Sequence, residues 1–212
     1  MATKPKSNEP LKVGLTLVEE LLGTASNNPE VHKEHIASKS ADAEKVKEEM
    51  EALSAEELIE KSVTVFPREN GVPFLWDYQI RGFFKENIGA FIDLGILDYP
   101  ANSVPRLTKW VYKRIVDKGV FVNPRKVMLH MPTGSKLGNC PRPIRVLTMK
   151  GERVALADSE TVPPGTWLEF EVVVMVPTLL PVMEQCLDYG KLSGLGQWRG
   201  GGKGRFTWKK LK

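Results

Sequence analysis

Apolar and polar residues alternate in three stretches of the chain, and this period of two is typical of half-buried β-strands. The first stretch is 11–18, where leucine and valine alternate with small and polar residues. The second, 168–176, is the longest, and the third is 205–209, where Phe206 and Trp208 alternate with polar residues. Each stretch predicts a strand with one face in the core.

Two other segments carry apolar residues at helical spacing. Asp77 can cap a helix over 77–93, and Thr178 can cap a second one that Gly190 is well placed to end. The predicted buried faces are Ile80, Phe83, Phe84, Ile88 and Phe91 in the first helix and Leu179, Leu180, Met183, Cys186 and Leu187 in the second.

The order of these elements predicts an α+β fold with a ferredoxin-like (RRM-like) βαββαβ core. Residues 1–10 are expected to be a flexible lead, and 11–212 a single domain. Within that domain we predict a charged helical insertion at 27–61. A second insertion at 95–150 should hold a basic helix near 106–118 and extended segments on either side of a loop at 132–143.

The net charge of +4 conceals an uneven distribution. Residues 1–104 contain 11 basic and 18 acidic residues, whereas 105–126 contain seven basic and one acidic. The last 24 residues, 189–212, contain seven basic and no acidic residues. Positive charge concentrated in two segments is the electrostatic pattern of a nucleic-acid-binding protein.

The remaining composition gives a broad class and a compartment. Hydrophobic residues make up 42% of the 212, an ordinary value for a globular protein. Cys140 and Cys186 are too few for a disulfide framework, and no apolar run reaches the ~18 residues of a membrane span. We therefore expect a cytoplasmic protein with reduced thiols, no membrane partner and no cofactor.

The strongest candidate for chemistry is the segment between the second helix and the last strand. Seven of the 18 glycines fall between Gly190 and Gly204, where they let the backbone come close to a partner and expose its N–H groups. Trp198 can stack on an unpaired base or pack into the core, and both readings stay open. The candidate nucleic-acid contacts here are Gly194, Gly196, Trp198, Arg199, Gly200, Gly202, Lys203 and Arg205.

Catalysis and metal binding have weaker support. His32 and His35 can share one side of a helix, but no third ligand lies near them in sequence, so we predict no metal site. His130 is the remaining histidine, and no spacing pairs it with an acid or base. We expect a non-catalytic protein and assign no catalytic residue, and a metal-independent endoribonuclease stays an alternative.

Three segments together resemble the RAMP superfamily, the RNA-binding proteins of CRISPR effector complexes. Residues 194–206 (GLGQWRGGGKGRF) are similar to that family's C-terminal glycine-rich loop. Residues 73–85 (PFLWDYQIRGFFK) are similar to the start of a helix in its backbone-type members, and 160–171 (ETVPPGTWLEFE) to the entry into a central strand. The whole chain also resembles an uncharacterised family carried by bacteriophages and prophages.

This resemblance implies a single-stranded RNA or DNA ligand, RNA more than DNA, and side-by-side assembly into a homo-oligomer or multi-subunit complex. It also implies phosphate contacts from Arg81 and Lys85. The basic strip of Arg106, Lys109, Lys113 and Arg114 is expected to extend the surface. The aspartate of RNA-cutting members has no counterpart that we can assign. A further alternative is a phage-encoded interaction protein that mimics or inhibits a CRISPR effector subunit.

Overall fold

The computed structural model describes residues 9–26, 63–100, 103, 105–148 and 151–212. These residues form a mixed α+β structure in which antiparallel sheets pack against helices. The predictions for residues 1–8 of the lead and for the helical insertion at 27–61 lie outside the described residues.

A four-stranded antiparallel sheet organises the fold, and its strands are β1 (Leu11–Leu17), β7 (Val120–Asn123), β11 (Trp167–Val174) and β12 (Phe206–Lys210). Their order in the sheet is β12-β1-β11-β7. The prediction that apolar residues on alternate positions are buried is confirmed for the two central strands, β1 and β11. One face of each is buried, and the other face is largely exposed. Each strand therefore presents every second side chain to the core.

Three helices of the described residues are α1 (Asp77–Leu94), α2 (Tyr112–Gly119) and α3 (Leu180–Ser193). The five apolar residues predicted for the buried face of α1 are all buried, together with Asn87. Most of the face predicted for α3 is buried as well, with Val182 added and Leu180 only partly covered. The buried faces of α1 and α3 belong to one hydrophobic core with the inner face of the sheet.

The helix ends differ from the predictions. Residue Trp76, not Asp77, occupies the N-cap of α1, and its N–H donates to Gln79 Oε1 at 2.7 Å. Thr178 lies in a short 3₁₀ helix (Pro177–Leu179) that precedes α3. Gly190 does not end α3, which continues to Ser193. A glycine is needed at this position inside the helix because the Phe206 ring occupies the space of a side chain.

The predicted basic helix is shorter than its segment. Only Tyr112–Gly119 is helical, and the chain enters it through a turn in which Tyr112 N–H donates to Thr108 O at 3.0 Å. The loop predicted at 132–143 is also shorter, because a strand already begins at Gly138.

The remaining strands form smaller sheets beside the central one. A long hairpin consists of β9 (Gly138–Thr148) and β10 (Gly151–Val162). The end of β10 pairs with β2 (Leu21–Leu22) and β4 (Thr64–Val65), and β4 pairs with β3 (Ala25–Ser26). The third sheet has the order β5-β6-β8, with β5 (Arg68–Glu69), β6 (Val72–Trp76) and β8 (Lys126–Met128).

No helix among the described residues is both long enough and apolar enough to cross a membrane.

Two helical glycines provide a stability test with opposite expected signs. A methyl group on Gly190 would overlap the rings of Phe206 and Phe83, whereas one on Gly82 would meet nothing within 4 Å. We expect Gly190→Ala to lower the free energy of unfolding by about 1–3 kcal/mol. Gly82→Ala should raise it by up to about 1 kcal/mol, because alanine favours a helix. Urea unfolding of both variants measures this, and a neutral Gly190→Ala would contradict the packing described for α3.

Candidate nucleic-acid interface

The glycine-rich loop between α3 and β12 is built into the fold. Leu195 N–H donates to Gly204 O at 2.8 Å, which joins the two ends of the loop. Gly204 N–H then donates to Glu20 O, also at 2.8 Å, and so attaches the loop to the segment after β1. A short 3₁₀ helix (Arg199–Gly201) forms its tip. The loop between these bonds therefore has a defined position relative to the sheet.

Two of the glycines are required by this closure. Gly204 has φ = 71° and Gly194 has φ = 77°, a region that residues with a Cβ rarely adopt. A Cβ at Gly204 would overlap the Leu195 carbonyl oxygen, and one at Gly194 would overlap that of Lys203. Gly200, by contrast, is exposed and has nothing within 4 Å of its Cβ position.

Two cations of the loop are held by carboxylates from other elements. Lys203 forms an ion pair with Glu20, and Arg199 forms one with Glu86 on α1. The hydrogen bond from Lys203 to Glu20 is the main reason that the pKa of this lysine lies above its ordinary value. Both cations are positioned before any ligand binds, and both keep part of their surface in solvent.

Trp198 lies at the tip of the loop and is not a core residue. Its side chain is 43% exposed, and its backbone is left-handed, with φ = 51°. The Arg142 guanidinium lies over the indole ring, with its carbon 5.8 Å from the ring centroid, and donates to Gln197 Oε1 at 2.7 Å. The core role that the sequence left open is therefore wrong, and the stacking role stays a prediction.

The other loop residues have distinct surroundings. Arg205 is exposed, and no carboxylate of a described residue lies within ion-pairing distance of it. Its carbonyl oxygen accepts the Val18 N–H at 2.8 Å. Gly196 faces the Leu21 side chain, and Gly202 lies near the Arg205 guanidinium at the end of the 3₁₀ turn.

A cavity of about 460 Å³, open to solvent, lies between the loop and α1, and the end of α3 also lines it. Its lining includes the aromatic residues Trp198 and Tyr189 and the small residue Ala90. Its polar lining comes from Glu86, Asn87, Ser193 and Arg199, and glycines 196 and 200 complete it. The lining thus combines aromatic and polar residues at a surface that is open to solvent.

The cations predicted on α1 turn away from the loop. Lys85 Nζ lies 2.6 Å from Asp117 Oδ1 of α2, whereas the next residue, Glu86, contacts Arg199 of the loop. Consecutive helical residues point about 100° apart, so the two side chains reach different neighbours. Arg81 lies 3.9 Å from Asp77 and is partly buried. The loop and α2 therefore contact α1 on different sides.

The predicted basic strip is solvent-exposed. Arg106, Lys113 and Arg114 are exposed, and Lys109 Nζ contacts Asp93 Oδ1 at 2.9 Å. Trp110, which follows Lys109, is 90% exposed. An aromatic ring between cations suits a strand of unpaired nucleotides.

The potential metal ligands and nucleophiles are dispersed among the described residues. No group of three or more His, Cys, Asp or Glu side chains among them could hold a metal ion. His130 is exposed and stacks on Trp167, with ring centroids 4.2 Å apart. Burial raises the pKa of the Cys186 thiol, which makes it a structural residue and a poor nucleophile. His32 and His35 lie outside the described residues.

Sequence reasoning missed three residues of the loop site. Glu20 and Glu86 hold the loop cations, and Arg142 covers the Trp198 ring. All three come from distant parts of the chain, so no local spacing connects them to the loop. Trp110 was also missed, although its place next to Lys109 in a basic segment was a usable signal.

Comparison with solved structures finds similar folds in CRISPR complexes. A chain in the cryo-EM structure of Type III-B Cmr-beta bound to cognate target RNA is 11% identical, with a TM-score of 0.51. The alignment covers 96% of this chain and 59% of that chain. A chain of a Type IV-B CRISPR complex is 12% identical, with a TM-score of 0.44 and coverage of 96% and 90% respectively.

No protein-family model matches this chain, and no curated protein matches it. The chain spans 59% of the length of the Type III-B chain. At this level of identity, the similarity concerns the fold alone.

The closure of the loop can be tested with two glycines of the same loop. Gly204→Ala forces a Cβ into the Leu195 carbonyl at a positive φ, so we expect it to lower the free energy of unfolding by more than about 2 kcal/mol. Gly200→Ala should change it by less than about 0.5 kcal/mol. Chemical denaturation compares the two, and equal small effects would show that the loop is not fixed as described.

Proposed function

We propose that this protein binds single-stranded nucleic acid, RNA in preference to DNA, without cleaving it. The observation that carries the proposal is the fixed glycine-rich loop, which places Arg199 and Lys203 on either side of a short turn next to an exposed Trp198. Cations bind phosphates, and an exposed indole stacks on unpaired bases.

The loop contributes backbone donors in addition to charge. At the tip, Gly200 is exposed and has no side chain or neighbour over it, so phosphate oxygens can approach the main chain there. Arg205 adds a cation without a described carboxylate partner. Contacts of this kind carry little sequence information, so binding should depend weakly on sequence.

The proposed core is the ferredoxin-like (RRM-like) βαββαβ unit of RAMP proteins. The strand order β12-β1-β11-β7 supports it, with α1 between β1 and β7 in sequence and α3 between β11 and β12. The similarity to a chain in a complex bound to cognate target RNA supports RNA as the ligand. We also propose that copies, or related subunits, assemble side by side on the strand.

Charge reversal at the loop tests the proposed phosphate contacts. Arg199→Glu together with Lys203→Glu should weaken binding to single-stranded RNA by at least about tenfold, to the same degree for every sequence, because phosphate contacts are lost. The slope of log affinity against log salt should fall in magnitude by about 1.4 for two lost contacts on a single strand. Fluorescence anisotropy with labelled oligonucleotides at several salt concentrations measures both.

Arg68→Glu together with Lys126→Glu is the matched control, because these two cations also pair with carboxylates but lie in a different sheet. Glu69→Gln, which removes the partner of Lys126, is the corresponding control for Glu20→Gln. RNA recovered intact from the same samples in EDTA distinguishes binding from the endoribonuclease alternative. Binding that does not change with salt would contradict the proposal.

The carboxylates that hold the loop cations compete with phosphate for them. Glu20→Gln removes the charge that pairs with Lys203, so the lysine becomes available to phosphate. Since exposed ion pairs contribute up to about 1 kcal/mol, we expect RNA affinity to rise about two- to fivefold. The same titrations measure it, and weaker binding by Glu20→Gln would indicate that the ion pair itself is the binding-competent form.

A further inference from the structure

We infer that the cavity between the glycine-rich loop and α1 receives one unpaired nucleobase. This inference rests on the proposed function and adds a defined ligand subsite to it. It concerns the cavity of about 460 Å³ that Trp198, Tyr189 and Ala90 line together with Glu86, Asn87 and Ser193.

The walls of the cavity match the faces of a base. Indole and phenol rings offer flat apolar surfaces, and stacking on such rings is sequence-tolerant because every base has a π-face. The Arg142 guanidinium covers part of the Trp198 ring outside the cavity lining, which makes that ring a supported surface. Gly201 leaves room for the indole, since a Cβ there would lie 2.8 Å from it.

The polar residues of the lining differ in how far a ligand can reach them. Asn87 is buried, and its amide nitrogen donates to Cys186 O at 3.3 Å. Ser193 Oγ is also buried and has no hydrogen-bond partner among the described residues. The polar groups that the edge of a base can reach are therefore Glu86 and Arg199 at the exposed rim.

The ion pair at the rim places the backbone of the ligand. Arg199 belongs to the cavity lining and also pairs with Glu86 at its exposed side. A nucleotide whose base enters the cavity brings its phosphate to this guanidinium. The loop would thus bind successive phosphates along its tip. The base between two of these phosphates would leave the stack of neighbouring bases and enter the cavity.

Two short oligoribonucleotides separate this inference from the proposed function. One is an abasic sugar–phosphate pentamer. The other is the same pentamer with 2-aminopurine as its single base, at the central position. Wild-type protein should bind the second at least about fivefold more tightly, from one stacked base. The 2-aminopurine fluorescence should be quenched on binding, since the base stacks on an aromatic ring.

Filling the cavity should abolish this difference while leaving phosphate binding intact. Ala90→Leu places a larger side chain in the lining without removing a cation, and leucine is a good helix former. We expect it to bind both pentamers equally, with the affinity of wild type for the abasic one. Ala90→Ser, which hardly changes the volume, is the matched control and should retain the preference.

Each outcome decides the question. Equal binding of both pentamers by wild type overturns the cavity inference and leaves the proposed function standing, provided that binding falls with salt. No binding of either pentamer, or of longer single-stranded RNA, overturns both. A folded Ala90→Leu variant that keeps the preference also overturns the inference. The wild-type comparison stands even if that variant does not fold.

Discussion

The backbone bond between Leu195 and Gly204 is the constraint on which the candidate site depends. It closes a segment rich in glycine and cations that would otherwise have a large conformational entropy. The second bond, from Gly204 N–H to Glu20 O, fixes the closed loop to the chain that leaves β1. Only a residue without a Cβ allows both, because the Leu195 carbonyl occupies the space next to Gly204.

The ion pairs of the loop follow from this closure. Once Gly204 is attached at Glu20, the neighbouring Lys203 is within reach of the Glu20 carboxylate. Arg199, at the tip, reaches Glu86 on α1. Such partly exposed pairs contribute little stability, so a phosphate can replace the carboxylate at small cost. The pairs therefore reduce the entropy that a cation loses on binding, because the side chain is already ordered.

Much of the fold could be predicted from local patterns. Alternation of apolar residues identified β1, β11 and β12, and helical spacing identified α1 and its buried face, because burial of one face imposes a period on the sequence. Gly190 shows where this reasoning fails. A glycine near a helix end usually marks the stop, but here its lack of a side chain makes room for the Phe206 ring.

The candidate site was predicted less completely, for a physical reason. Its glycines and cations are consecutive in sequence, so the loop was visible as a segment. Its partners come from elsewhere: Glu20 lies 183 residues from Lys203, and Arg142 lies 55 residues from Gln197. Contacts over such separations depend on the tertiary arrangement of the sheet and helices, and local periodicity carries no information about them.

Helix α1 lies between the loop and α2, and neighbouring residues of the helix contact the two. Glu86 faces the loop and Lys85 faces α2, so the helix separates the loop cations from those of the strip. On the loop side of α1 the Glu86 carboxylate is largely exposed, and its pair with Arg199 offsets the repulsion that it would exert on a phosphate. The Arg199–Glu86 pair thus sets the local charge at the cavity rim.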